Sequence, residues 1–184
     1  MARLSSFMSV SVDGCYADRN GDMSWAHRDD AEMRAFTAEN AKGGGLLVFG
    51  RLTYQMMEAY WPTPLAAKNE PAVAEAINQL PKVVFSKTLD RAEWSNTTLV
   101  RGDLPREIAK LKEGSLDMAT LGSGTLVAAL AQANLIDVYQ LMIVPVILGG
   151  GKRLFDGIAK PPRLELESTR RFANGNVFVC YRPG

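Results

Sequence analysis

Two periodicities take turns along most of this chain. Leu4 to Val12 mixes apolar residues with serines in the manner of a strand with one buried face. Gly14 to Arg28 is polar and carries the turn signal Asn20-Gly21-Asp22, which predicts a long loop. Asp29 with Glu32 three residues on fits a capping box and opens a helix with Met33, Phe36 and Asn40/Ala41 on one face. Gly43-Gly44-Gly45 is expected to end it. Leu46 to Phe49 is a continuous apolar run, the signature of a central strand covered on both faces. Helices are predicted over Leu52–Tyr60, stopped by Trp61-Pro62, and over Pro71–Gln79, with proline in the first turn. Val83–Phe85 and Thr97–Val100 read as strands, and Leu104–Lys112 as an amphipathic helix with Ile108 and Leu111 on one side. Asp117–Leu121 returns to strand, Thr125–Asn134 to helix and Ile136–Val144 to strand.

The final stretch differs. Pro145 to Gly157 is a glycine-rich loop, after which Leu164 and Leu166 alternate with Glu165 and Glu167. Asn174-Gly175 predicts a two-residue hairpin turn, with Val177–Tyr181 as the return strand. Alternating β/α units closed by a hairpin imply an α/β fold: a mixed, mostly parallel sheet flanked by helices, antiparallel at its C-terminal edge. The chain has no internal repeat, low-complexity tract or linker, so residues 1–184 are expected to form one domain. The hairpin leaves an edge strand, and covering it with a second copy predicts a homodimer.

Composition narrows the function. The 47% hydrophobic and 22% charged fractions are those of a globular protein. Twenty-one Lys and Arg against twenty Asp and Glu give a formal charge of +1, which argues against a nucleic-acid surface and leaves room for a local anion pocket. Two distant cysteines and one histidine, His27, disfavour a disulfide scaffold, a metal site and a Ser-His-Asp triad. The start Met1-Ala2-Arg3-Leu4-Ser5-Ser6 lacks a signal-peptide core, and no apolar run approaches the roughly 18 residues of a membrane span. A cytoplasmic protein is expected.

In open α/β sheets, ligands bind where strands end and helices begin. Three such junctions suit phosphate. At the first, Gly50 allows close approach, Arg51 offers a forked donor and Thr53 sits in the first helical turn; a glycine turn with a surface arginine and a capping threonine explains the same residues. The second pairs the Ser86 hydroxyl with the Lys87 ammonium, as any polar loop can. The third, Gly122-Ser123-Gly124-Thr125, puts bare N–H groups and two hydroxyls at a helix start. It is no Rossmann fingerprint, because Val127 stands at the third glycine position, and Gly149-Gly150-Gly151-Lys152-Arg153 is no Walker loop. One extended dinucleotide accounts for three phosphate-suited junctions on one sheet better than coincidence does. Arg51 and Lys87 add cationic heads that suit a further phosphate on such a dinucleotide.

The first strand and long loop hold the remaining candidates, Asp13, Gly14, Trp25 and Asp30. Trp25 either stacks on a flat heterocycle or anchors its loop. Asp30 either hydrogen-bonds a heterocycle and delivers a proton, or complements the dipole of the helix it opens.

The order Ser11-Val12-Asp13-Gly14, Gly21-Asp22-Met23-Ser24-Trp25, Val48-Phe49-Gly50-Arg51-Leu52-Thr53-Tyr54 and Tyr60-Trp61-Pro62 resembles the dihydrofolate-reductase-like superfamily. Leu121-Gly122-Ser123-Gly124-Thr125-Leu126, Ile136-Asp137, Val144 to Gly151 and Leu154-Phe155 are similar to the C-terminal reductase domain of the bifunctional riboflavin-biosynthesis deaminase-reductase. The resemblance spans Leu4 to Tyr181. It implies an NADPH-dependent reductase, with cofactor phosphates against Gly50, Arg51, Thr53 and Gly122, Ser123, Gly124, Thr125. Ser86 and Lys87 would lie near the adenosine 2′-phosphate. The substrate, a small heterocycle, would lie between nicotinamide and the loop carrying Asp13, Gly14, Trp25 and Asp30, with Asp30 as acid or heterocycle anchor.

Some residues depart from the folate enzymes: Ser24 replaces the proline before the tryptophan, and Leu141 or a neighbour takes the place of a substrate-orienting threonine. The deaminase half is absent, with neither H-x-E nor P-C-x-x-C in the chain. The implied reaction is hydride transfer to a C=N or C=O carbon, as in 5-amino-6-(5-phosphoribosylamino)uracil reductase. Folate reduction and a non-catalytic NADPH-binding dimer are the alternatives.

Overall fold

The apolar runs become the middle of one sheet. The computed structural model describes residues 1–28, 30–41 and 45–184. Its strands are β1 (Leu4–Ser11), β2 (Cys15–Ala17), β3 (Leu46–Gly50), β4 (Lys82–Phe85), β5 (Thr97–Val100), β6 (Met118–Leu121), β7 (Val138–Val144), β8 (Lys152–Arg153), β9 (Leu164–Arg171) and β10 (Val177–Pro183). Its helices are α1 (Ala31–Ala41), α2 (Arg51–Tyr60), α3 (Pro64–Asn69), α4 (Pro71–Gln79), α5 (Leu104–Lys112) and α6 (Gly124–Gln132), with a 3-10 turn over Ser24–Ala26.

Eight strands pair in the order β5-β4-β3-β6-β1-β7-β10-β9. The first six run parallel, and β10 is antiparallel to both of its neighbours, β7 and β9. This is the mostly parallel α/β sheet with an antiparallel C-terminal hairpin that the pattern predicts. No described helix is long and apolar enough to cross a membrane.

β3 shows why the sheet has two covered faces. Leu46 and Val48 point into a core with Ile108 of α5 and Val127, Leu130 and Ala131 of α6. Leu47 and Phe49 point the other way, against Tyr54 of α2 and Val73 and Ile77 of α4. An alternation that is apolar at every position is what a central parallel strand requires. Farther along, α1 lays Met33 and Phe36 against Phe7, Met142 and Phe178. Asp103 caps α5 by accepting from the Arg106 N–H at 3.2 Å, with Pro105 in the first turn.

Several local expectations are corrected. The loop after β1 is interrupted by β2, which pairs antiparallel with β8 of the glycine-rich loop and ties the two loops together. α3 was not expected; Thr63 caps it through the Ala66 N–H, and Pro64 opens it. α6 begins at Gly124 and ends at Gln132, and β7 begins at Val138, just after Asp137, whose carboxylate accepts the Leu4 N–H at 2.7 Å. The hairpin between β9 and β10 has three loop residues, Ala173 to Gly175, rather than two. Phe172 and Asn176 close it by backbone pairing, and Gly175 takes φ +87° after the turn. The proposed Asp29 cap and the Gly43-Gly44 helix stop lie outside the described residues.

Candidate active site

Because β4, β3 and β6 are neighbours and parallel, the residues that follow them emerge side by side at one edge of the sheet. Ser86 follows β4, Gly50 ends β3 and Gly122 follows β6. At about 4.8 Å per strand, the three tips span roughly 10 Å. The tip of β1, at Val12 to Gly14, comes next in the same row. A hydrogen bond from the Gly122 N–H to the Phe7 carbonyl, 3.1 Å, ties the β6 tip to the middle of β1, which runs on past it to its own tip.

The glycine turns are tied to one another. The Ser123 hydroxyl accepts the Gly50 N–H at 2.9 Å, across from β6 to β3. Ser123 holds the left-handed conformation, φ 62°, immediately before α6, and Gly122 is also left-handed at φ +71°. A Cβ on Gly122 would lie 3.3 Å from the Thr53 methyl, so Thr53 of α2 and the turn before α6 are in contact. A Cβ on Gly124 would sit 2.5 Å from the Tyr16 ring, so glycine alone lets β2 close against the start of α6.

Neither α2 nor α6 has a side-chain cap at its N-terminus. Their first N–H groups therefore face the sheet edge from two adjacent strands, and the partial positive ends of both helices converge there. Converging bare N–H groups beside close-approach glycines fit a pyrophosphate. Gly50, Thr53, Gly122 and Ser123 meet at this point, with Gly124 and Thr125 opening α6 beside them, whereas the Arg51 guanidinium donates to Gln55 at 3.4 Å and lines the cavity on the Ser86 side.

The Ser86 loop is built from both sides. The Ser86 hydroxyl accepts the N–H groups of Thr88 and Leu89 at 3.1 and 2.9 Å. The Arg101 guanidinium donates to the carbonyls of Lys87, Leu89 and Asp90 at 3.2, 2.6 and 3.1 Å. Arg101 is thereby committed to the loop, whereas the Lys87 side chain is exposed. Between this loop and α2 lies an open cavity of about 390 Å³ of mixed charge, lined by Arg51 and Arg91 and by Glu58, Asp90 and Glu93, with Gln55, Thr88 and Leu89 between them.

Asp13 and Asp30 do structural work that local sequence does not show. Asp13 accepts the Ser11 hydroxyl at 2.7 Å and the N–H groups of Leu148 and Gly149 at 3.1 and 3.0 Å. It pins the glycine-rich loop to the tip of β1, and the Ser11 hydroxyl bond leads the hydrogen bonds that lower its pKa. Gly14 completes that tip at φ +81°, and its carbonyl accepts the Leu154 N–H at 3.1 Å. Asp30 caps α1 through the Met33 N–H at 2.8 Å, and its other oxygen accepts the Asn174 N–H at 3.0 Å. Its pKa is lowered, chiefly by the Met33 bond. A carboxylate ionised at neutral pH, with both oxygens occupied, is poorly suited to deliver a proton. The Trp25 indole N–H donates to the Asp22 carbonyl at 3.1 Å, anchoring the 3-10 turn. The Asp22 carboxylate in turn accepts from the Ser24 hydroxyl.

Comparison with known proteins fits this geometry. The family model described as the RibD C-terminal domain matches residues 2–178. The chain belongs to that family. Among solved structures, a putative riboflavin biosynthesis protein from Shewanella sp. PV-4 superposes with a TM-score of 0.75 at 22% identity, covering 100% of this chain and 99% of that one. A diaminohydroxyphosphoribosylaminopyrimidine deaminase/5-amino-6-(5-phosphoribosylamino)uracil reductase from Thermotoga maritima gives 0.68 at 15% identity, covering 100% of this chain and 57% of that chain. Dihydrofolate reductase from Enterococcus faecalis, complexed with NADP(H) and RAB-propyl, gives 0.65 at 16% identity over 99% and 96% of the two chains. The fold is therefore dihydrofolate-reductase-like, and the family is that of the RibD C-terminal domain.

The sequence had no signal for the Asp30–Asn174 contact or for the β2–β8 clasp, since each joins positions more than a hundred residues apart. Tyr16, the ring beneath Gly124, went unread for the same reason.

Proposed function

We propose that this protein is an NADPH-dependent reductase, one domain over residues 1–184, that reduces a C=N or C=O carbon of a small heterocycle, as a uracil reductase of the riboflavin type would. The observation that carries the reading is the row of tips itself. Ser86, Gly50 and Gly122 lie on adjacent parallel strands, with two uncapped helix N-termini between them. NADPH, when bound, supplies the hydride. The N–H groups at the starts of α2 and α6 would hold its pyrophosphate, with Gly50 and Gly122 permitting the approach and Thr53, Ser123, Gly124 and Thr125 lining it. Arg51 and Lys87, beside Ser86, would hold the additional phosphate.

The row then continues to the β1 tip, so the reacting end of the coenzyme would meet substrate near Asp13 and Gly14. Trp25 would cover the substrate, and Asp30 would act as a positioning group that keeps α1 and the hairpin in register. With Asp30 ionised, the proton would come from water. Two buried free thiols, Cys15 and Cys180, agree with a cytoplasmic setting.

Folate reduction is the second reading, supported by the fold shared with the Enterococcus enzyme. Turnover separates them. The expected result is NADPH oxidation driven by a pyrimidine precursor of flavin, and none driven by dihydrofolate. Oxidation with dihydrofolate alone would favour the second reading, and NADPH binding without turnover on any pyrimidine, pterin or flavin precursor would make this a binding protein.

A further inference from the structure

We propose, resting on the coenzyme reading above, that the Tyr16 hydroxyl is part of the coenzyme berth and donates a hydrogen bond to a phosphate held at the start of α6.

The Tyr16 ring fills the space that a side chain on Gly124 would need. Its Cε1 and Cζ carbons lie 2.5 Å, and Cδ1 2.7 Å, from where a Cβ on Gly124 would be. Gly124 is the first residue of α6, so the ring lies across the opening turn of that helix, with the hydroxyl one bond beyond Cζ. The hydroxyl has no hydrogen-bond partner among the described residues. Nor is it one of the buried polar side-chain atoms without a partner, which are Ser6 Oγ, Thr120 Oγ1 and Asn176 Oδ1. The ring is half-buried, and its oxygen stays open to solvent.

The backbone is shaped to put it there. Cys15 pairs with Arg153 and Ala17 with Lys152, so two steps along β2 match one along β8 and Tyr16 is the extra residue of a bulge. A bulge bends its strand and re-aims the side chain it carries, and bulges recur beside active sites. The residues on either side, Cys15 and Ala17, are buried. The Cys15 N–H donates to Ser11 Oγ at 2.9 Å, and the Leu154 N–H, just past β8, donates to the Gly14 carbonyl at 3.1 Å. Tyr16 therefore projects from a strand that is fixed on both sides of it.

Packing accounts for the ring but not for the oxygen. The ring lies against the core that contains Val10, Leu126 and Leu154, where phenylalanine would serve equally well. What the oxygen adds is a donor beside a helix start that has no side-chain cap. A phosphate on the bare N–H groups of α6 would accept from it, a charge-assisted bond of the stronger kind. On the same turn, the Thr53 hydroxyl lies 3.7 Å from the Cβ position of Gly122. The berth would thus take one hydroxyl from α2 and another from β2.

The test is the coenzyme affinity of Tyr16→Phe, which keeps the ring over Gly124 and removes only the oxygen. Tryptophan fluorescence titrated with NADPH is expected to give a dissociation constant raised about tenfold. The melting temperature without coenzyme is expected to match wild type, since the hydroxyl has no protein partner to lose. If wild type binds NADPH and Tyr16→Phe binds it equally well, the contact is overturned and the coenzyme reading stands. A loss of affinity matched by a lower melting temperature would overturn it too, by making the oxygen part of the fold. A wild type that binds no NADPH would remove the coenzyme reading and this contact together.

Discussion

The Ser123 hydroxyl accepts the Gly50 N–H at 2.9 Å, joining the ends of β6 and β3 although the residues are 73 positions apart. Together with the contact between Thr53 and Gly122, that bond ties the two uncapped helix starts where they converge. Ser123 also bears a left-handed backbone, φ 62°, that most residues avoid.

Replacing Ser123 therefore separates two effects. Ser123→Ala loses the acceptor and keeps the strained conformation; a drop of about 1 kcal/mol in stability is expected. Ser123→Gly loses the same acceptor but relaxes the backbone, so it should be the more stable of the two. Both should weaken NADPH several-fold, read by tryptophan fluorescence. Equal affinity to wild type in both would remove the tether from the binding site.

Gly124→Ala should be costly because its Cβ would meet the Tyr16 ring 2.5 Å away. A loss of about 1–3 kcal/mol is expected, as for an overpacked core. Adding Tyr16→Ala should recover part of that loss in chemical denaturation. No recovery would mean that the strain falls elsewhere.

Lys82 offers a pH signature. It is 1% exposed, donates to the carbonyls of Asn78, Leu80 and Ser95 at 3.1, 2.7 and 3.1 Å, and lies 4.5 Å from the Trp94 ring centre. Burial opposes its charge and pulls its pKa from 10.5 down to about 8. Between those values the unfolded chain binds the proton more tightly than the native one. Lys82 therefore makes stability rise with pH through that window. Lys82→Met should be less stable near neutrality, since three carbonyls lose their donor, and should lack this rise. Denaturant unfolding of both proteins at pH 7.5 and 10 checks it; parallel pH dependence would contradict it.

Asp30 has a folded pKa below its unfolded value, so its stabilising effect is present above the unfolded pKa. It is lost as pH falls through the folded one. Asp30→Ala should lower the melting temperature at pH 7 through loss of the cap and of the Asn174 tie, and lower it less at acid pH. Asp30→Asn should leave the pH profile of turnover unchanged in shape. Loss of an ionisation from that profile would restore Asp30 as the proton donor.

How much was legible in the sequence depended on whether the cause was local. β5, α4 and α5 fall where their signals place them. Pro71 starts α4, Asp103 and Pro105 open α5, and Thr97–Val100 carries its strand signal within four residues. The glycine turns at Gly50 and Gly122 were legible because a close approach demands glycine whatever packs there. α3 was hidden by its length, six residues, despite Thr63-Pro64. Leu164 to Glu167 alternates apolar and acidic residues, yet both faces of β9 are exposed. The cap that Asp30 gives α1 was legible beside the helix it opens, whereas its second partner, Asn174, is 144 residues away and was not.

Amide hydrogen exchange with and without saturating NADPH probes the row of strand tips most directly. Slower exchange is expected together in the segments 50–55, 86–90 and 122–127, with β9 unchanged. Unaltered exchange at all three, or slowing confined to some other part of the sheet, would contradict a shared coenzyme berth.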